Sequence, residues 1–319
     1  MIKKDFKILY LDQFAVSNLV LEEKGVWIDL KEIIEEGVKE GKLLCPITFD
    51  HFFETTQADP ERALKIDAYF SFLSNGWMFK PTAYTDSQLI ISTLRKNNFT
   101  LKTFLNEDIK RNILSDKSEF EHLKKGKNEF DLLINEATAG INSLRKVKNN
   151  QKVEKEDKKI MYNALSLVST REFLERLNDL VKNGNIVIRG DKLSFKDVPN
   201  WVDQIIFRLV EIHKMTSKET KKLISIIQKH NFSKFPTLDI RFSLLAKMSI
   251  EGKKELPSDH IDVERISVGL PISDYLLTDK KRKSEIIDLG LDLKYNTKVY
   301  CGSENDLNRL KSDLQLILE

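Results

Sequence analysis

Four acidic residues close otherwise apolar segments. Asp12 ends Lys7-Ile-Leu-Tyr-Leu-Asp12, Glu54 ends Phe52-Phe-Glu54, Asp262 ends Asp259-His-Ile-Asp262, and Asp279 ends Tyr275-Leu-Leu-Thr-Asp279. A carboxylate directly after a hydrophobic strand sits at the strand's carboxyl end, the edge where open α/β sheets bind ligands. Carboxylates packed together without a counter-ion raise one another's pKa and discharge. Four that converge therefore predict a cation site. A bound divalent ion lowers the pKa of its water and clamps phosphate oxygens. Mg²⁺ takes hard oxygen ligands and keeps several waters, so a few carboxylates suffice without His or Cys. The chemistry expected is metal-dependent attack on a phosphate.

Such a site needs strands to deliver it. Residues 7–11 read as a buried strand with a helix from about Gln13. Leu30, Ile33, Ile34 and Val38 mark one face of a second helix, which Gly41 is placed to end. A strand at 43–47 follows, then a helix begun by Phe49, Phe52 and Phe53, and another opened by Asp59-Pro60. A third strand near 77–79 is weakly signalled. Strand, helix, strand, helix at this spacing argues for a parallel sheet. From about Tyr84 to Glu251 helical patterns dominate, as at 201–213, 219–229 and 238–248. The charged stretch 146–159 reads as an exposed loop or helix end, and 185–195 as a hairpin around Gly190-Asp191. The α/β pattern then returns: Asp259 can cap a helix, 275–278 and 298–301 read as strands, and Ser303 caps a last helix with Leu307, Leu310, Leu314 and Ile317 on one side. The expected organisation is an α/β domain built from residues 1–84 and 251–319, with a mainly helical insertion at 85–250.

Composition narrows the class. A chain of 319 residues, 41% hydrophobic, can hold one large domain or a domain with an insertion. Its 52 Lys and Arg nearly balance 49 Asp and Glu, for a net charge of +3, so any basic surface must be local. Cys45 and Cys301 show no paired spacing, which suits buried free thiols in a reducing compartment. No apolar run approaches membrane-spanning length and no signal sequence is recognisable, so a cytoplasmic location is expected.

The segments Ile8-Leu-Tyr-Leu-Asp12-Gln-Phe-Ala, Cys45-Pro-Ile-Thr-Phe-Asp-His-Phe-Phe-Glu54, and Asp262 through Leu276-Leu-Thr-Asp279-Lys280 resemble the PIN domain family of metal-dependent nucleases. The resemblance covers roughly residues 1–80 and 255–319. It implies a three-layer α/β/α domain with a central parallel sheet. It also implies Mg²⁺ or Mn²⁺ held by Asp12, Glu54, Asp262 and Asp279, and a water attacking a phosphodiester. The substrate implied is single-stranded nucleic acid, RNA before DNA. The chain departs from the family pattern at Gln13, where small or Asn-like residues are common nearby, and in the size of its insertion.

Each residue has a plainer reading. Asp12 and Asp279 could simply cap the helices that follow, and Asp259 with Asp262 could form an acidic capping box. Yet positions i and i+3 share a helix face, so Asp259 could join Asp262 at one cation. Glu54 could be an ordinary exposed helix residue, and Asp274, at the opposite end of its strand, a structural acid. Lys280, Lys281, Arg282 and Lys283 oppose the dipole of the helix they begin, which calls for a compensating anion, either the neighbouring carboxylates or a bound phosphate backbone. His51 and His260 read as hydrogen-bonded structural histidines. An aspartyl-phosphatase arrangement fails, because it needs an acid where Phe14 stands. Two alternatives stay open beside the nuclease: a PIN-like module that binds RNA or a partner protein without cutting, and a toxin or defence effector restrained by a regulatory protein.

Overall fold

The apolar run after Phe6 forms β1 (Lys7–Leu11), whose last four residues are buried. The computed structural model describes residues 5–21, 25–107, 117–148, 155–184, 201–252 and 254–319. After Asp12 come α1 (Gln13–Leu21) and α2 (Val26–Lys39). Leu30 and Ile34, one turn apart in α2, are both fully buried. Gly41 then reverses the chain at φ +69°, in the left-handed region that side chains disfavour. Strand β2 is Leu43–Leu44. It stops short of the expected 43–47 because Pro46 has no N–H to give a ladder.

Next come α3 (Phe49–Thr55) and α4 (Pro60–Ser74). Asp59 caps α4 by accepting the Arg62 N–H at 3.0 Å, with Pro60 at the first helical position. β3 (Met78–Phe79) is followed by α5 (Thr82–Arg95), α6 (Leu101–Phe104) and β4 (Leu105–Asn106). β3 pairs antiparallel with β4 as a separate two-stranded sheet, and Met78 bridges to Ile47. Two long helices, α7 (Lys117–Lys148) and α8 (Lys155–Asn183), come next, so the charged stretch 146–159 takes in the end of one and the start of the other. The hairpin expected at 185–195 lies outside the described residues.

The chain resumes as α9 (Trp201–Phe207), a π-helical turn at Arg208–Ile212, α10 (Ser217–His230), α11 (Pro236–Glu251) and α12 (Pro257–Gly269). β5 (Tyr275–Leu277), α13 (Lys280–Asp288), α14 (Leu291–Tyr295), β6 (Lys298–Tyr300) and α15 (Glu304–Leu318) complete it. Ser303 caps α15 through the Asp306 N–H at 3.4 Å, and Leu307, Leu310 and Leu314 are buried beneath it.

The protein is mixed α/β, mostly helical, with one four-stranded sheet of order β2-β1-β5-β6. Every pairing in it is parallel, with Ile8 opposite Leu44, Leu11 opposite Leu277 and Leu277 opposite Tyr300. β1 and β5 are the two central strands and come from opposite ends of the chain. Asp274 ties their amino ends: it accepts from the Ile8 N–H at 2.9 Å and from Lys7 Nζ at 3.2 Å, a structural role. Among the described residues no helix is long and apolar enough to cross a membrane.

The chain divides into two units: Met1–Lys80 with Thr100–Phe130 and Val268–Glu319, and Pro81–Phe99 with Asp131–Ser267. These limits differ from 1–84, 85–250 and 251–319 for local reasons. The β3–β4 pairing brings α6 and β4 into the first unit, and Phe120 and Leu123 of α7 join its core. Most of α12 goes with the second unit. There Asn142 accepts from the Glu255 N–H at 2.9 Å, and Glu264 pairs with Arg241 of α11. The second unit has its own core, in which Phe173, Phe232 and Phe242 pack with Trp201. Both cysteines are free and buried.

Candidate metal centre at the sheet edge

Leu11 and Leu277 are partners in the β1–β5 ladder, so the residues following them leave the sheet side by side. The Asp12 N–H donates to the Leu277 carbonyl at 3.0 Å, and the Thr278 N–H to the Tyr300 carbonyl at 3.0 Å. Parallel pairing thus delivers Asp12 and the Thr278-Asp279 pair to one carboxyl edge. Asp12 is buried, with 7% of its surface exposed, and Thr278 is fully buried.

A buried carboxylate must have its lone pairs met. Asp12 Oδ1 accepts from the Gln13 N–H at 2.7 Å, and Oδ2 accepts from the Thr278 hydroxyl at 3.1 Å. Its carbonyl takes the Ala15 and Val16 N–H groups, so Asp12 also starts α1. Asp279 is the N-cap of α13: Oδ1 accepts from the Lys281 N–H at 2.6 Å and the Arg282 N–H at 3.0 Å. The capping reading and the site reading of these two acids are therefore compatible. A carboxylate offers about four lone-pair directions, and capping uses some of them.

Glu54 lies in the last turn of α3 and is half-buried. Its neighbour Thr55 accepts from Gln13 Nε2 at 2.9 Å, which joins this turn to the start of α1. His51 is fully buried, and its Nδ1 accepts the Thr48 N–H at 3.0 Å in the box that begins α3. It is a structural histidine.

Asp259 and Asp262 lie on the part of α12 that belongs to the second unit. The helix begins at Pro257, ahead of the start expected at Asp259. Asp259 reaches back to accept the Leu256 N–H at 2.9 Å, the capping-box use of an acid in a first turn. Asp262 is half-buried, and His260 Nε2 lies 3.1 Å from Glu255 Oε2.

The basic run resolves into two kinds of residue. Arg282 is fully buried and donates to Glu285 at 2.5 Å, and Lys283 pairs with Asp306. Of the two compensating anions expected, the chain's own carboxylates serve Arg282 and Lys283, which corrects the reading of these two as phosphate contacts. Asp279 supplies a further negative charge at the helix start. Lys280 is exposed and Lys281 half-exposed.

Among the described residues no three His, Cys, Asp or Glu side chains group closely enough to hold a metal ion. The sheet edge thus sets Asp12 against Thr278, the residue before Asp279, with the Glu54 turn joined to α1, short of a closed carboxylate cluster. Sequence reasoning passed over Thr278 as a partner of Asp12. Its only mark is a hydroxyl at the end of an apolar run, which carries no spacing signal.

A second buried acid was also missed. Asp86 of α5 is 1% exposed and accepts from the Thr237 hydroxyl, with Arg241 Nη1 4.0 Å away. Burial pushes its carboxyl up to about 7, against the lowering effect of Arg241 and Thr237. No family model, curated protein or solved structure matches this chain.

Proposed function

We propose that the protein is a metal-dependent nuclease of the PIN-like kind, with a three-layer α/β/α first unit, acting on single-stranded nucleic acid, RNA in preference to DNA. The observation that carries this reading is the Thr278–Asp12 hydrogen bond across adjacent parallel strands, which sets Asp12 and Asp279 at one sheet edge. Their hard oxygen donors fit Mg²⁺ or Mn²⁺, since Mg²⁺ is commonly held by one or two protein carboxylates with waters and substrate phosphates. When bound, such an ion supplies an activated water and shields charge on the phosphate.

The chain's own residues do the rest. Thr278 and the Gln13 N–H fix Asp12 in direction by donating to its two carboxylate oxygens. Asp279 is fixed by the two N–H groups of α13. Gln13 fastens the Glu54 turn through Thr55. Lys280 and Lys281, next to Asp279, are the cations best placed to meet a phosphate backbone.

One observation favours a second reading, a module that binds RNA or a protein partner without cutting: both Asp12 oxygens already accept from protein donors. Calorimetric titration with Mn²⁺ separates the two. The nuclease reading expects saturable binding that Asp12→Asn and Asp279→Asn each weaken. Binding no tighter than that of either variant supports the non-catalytic module.

A further inference from the structure

The second unit holds a basic cluster that the candidate metal centre does not use. At its centre is Arg208, the first residue of the π-helical turn. Such turns are rare and concentrate at functional sites. The guanidinium carbon lies 3.2 Å from the centroid of the Tyr84 ring, and Tyr84 keeps 48% of its surface exposed. Arg208 Nε donates to the Ser87 hydroxyl oxygen at 3.3 Å, and His213 Nε2 lies 3.3 Å from the same oxygen. Ser87 is fully buried and gives its own proton to the Tyr84 carbonyl at 3.0 Å. Its oxygen can then only accept, so His213 carries a proton on Nε2. A single buried hydroxyl fixes both the guanidinium and the imidazole.

The charge balance around them is uneven. Arg95 pairs with Glu219 at 2.8 Å and donates to the His213 carbonyl at 2.9 Å. Lys214 pairs with Glu211 at 3.7 Å. Arg208 has only Ser87 and the Tyr84 ring among the described residues, with no carboxylate. Burial and the two guanidiniums, Arg208 and Arg95, hold the His213 imidazole below its ordinary range. A half-buried, oriented arginine beside a histidine, with no anion of its own, is complementary to an incoming one.

We propose that Arg208, His213 and Tyr84 form a phosphate-binding site whose ligand carries a nucleobase next to the phosphate, as a nucleotide either free or within a strand. The planar guanidinium fork matches two phosphate oxygens at once. Arg208 covers one face of the half-exposed tyrosine ring, and a base would stack on the opposite one. None of these residues takes part in the metal centre, so this site stands or falls separately from it.

The test is binding to the full chain in EDTA, with inorganic phosphate, uridine monophosphate and a short oligouridine as probes. His213 is followed by NMR. Each probe that seats a phosphate raises the His213 pKa, because the anion offsets the two guanidiniums. Arg208→Gln abolishes that rise and weakens binding roughly tenfold, the effect of losing a charge-assisted hydrogen bond. Arg208→Lys keeps the charge and restores part of the affinity, which separates lost binding from lost folding. Tyr84→Ala weakens uridine monophosphate and oligouridine but leaves inorganic phosphate unchanged. Tighter binding of oligouridine than of the mononucleotide identifies a strand as the ligand, and equal binding a free nucleotide. A His213 resonance unmoved at saturating phosphate, or equal binding of all probes to wild type and Arg208→Gln, overturns the site. A Tyr84→Ala variant that binds the mononucleotide as wild type does removes the nucleobase from it.

Discussion

Thr278 is a small residue with a large duty, because its hydroxyl meets one oxygen of a buried carboxylate across two strands. Thr278→Val keeps the volume and removes the donor. The unfolding free energy should fall by about 1–3 kcal/mol, the cost of stranding a buried acceptor. Thr278→Ser should restore most of that loss in a denaturant titration. Asp86 gives a different signature. Its carboxyl is raised from 3.8 to about 7 by burial, so between those values the folded protein binds more protons there than the unfolded chain. Stability therefore falls as pH rises through that window, and the loss is complete above about 7. The groups facing Asp86 are Thr237 and Arg241, with Glu264 of α12 beyond them. An Asp86→Asn variant should lose this slope, and denaturant titrations of both proteins across the window check it. An unchanged slope would mean that Asp86 does not titrate there.

At the level of elements, α15 is held by its apolar stripe. Leu310→Ala, at a fully buried site, should cost about 2–5 kcal/mol. Leu316→Ala, at a site 69% exposed, should stay within about 0.5 kcal/mol, and thermal unfolding of the two variants makes the comparison. That stripe, the Asp59-Pro60 start of α4 and the Gly41 turn after α2 were legible in the sequence because local chemistry decides them. The ends of short strands were less so: β2 stops at Leu44 because of Pro46, and β3 pairs with β4, a partner that no local pattern names. Asp12 and Asp279 could be placed at strand ends from their apolar runs alone. Their arrival at one carboxyl edge depends on the β1–β5 pairing, which joins residues from opposite ends of the chain. The burial of Arg282 was not legible either, because its partner Glu285 sits one helical turn along a run that reads as solvent-facing charge.

For the molecule as a whole, a net charge of +3 gives no general attraction to nucleic acid, so affinity must come from particular groups. The groups proposed for this are Lys280 and Lys281 in the first unit and Arg208 in the second. The central proposal is that Asp12 and Asp279 support metal-dependent phosphodiester cleavage. The most direct test follows a labelled single-stranded RNA incubated with the purified chain in Mn²⁺ or EDTA, beside Asp12→Asn and Asp279→Asn. The account predicts cleavage in Mn²⁺ alone, reduced at least about a hundredfold by either substitution, since even outer-shell changes at metal sites cost 10–100-fold. Intact RNA with the wild-type chain in Mn²⁺, or undiminished cleavage by Asp12→Asn, would contradict it.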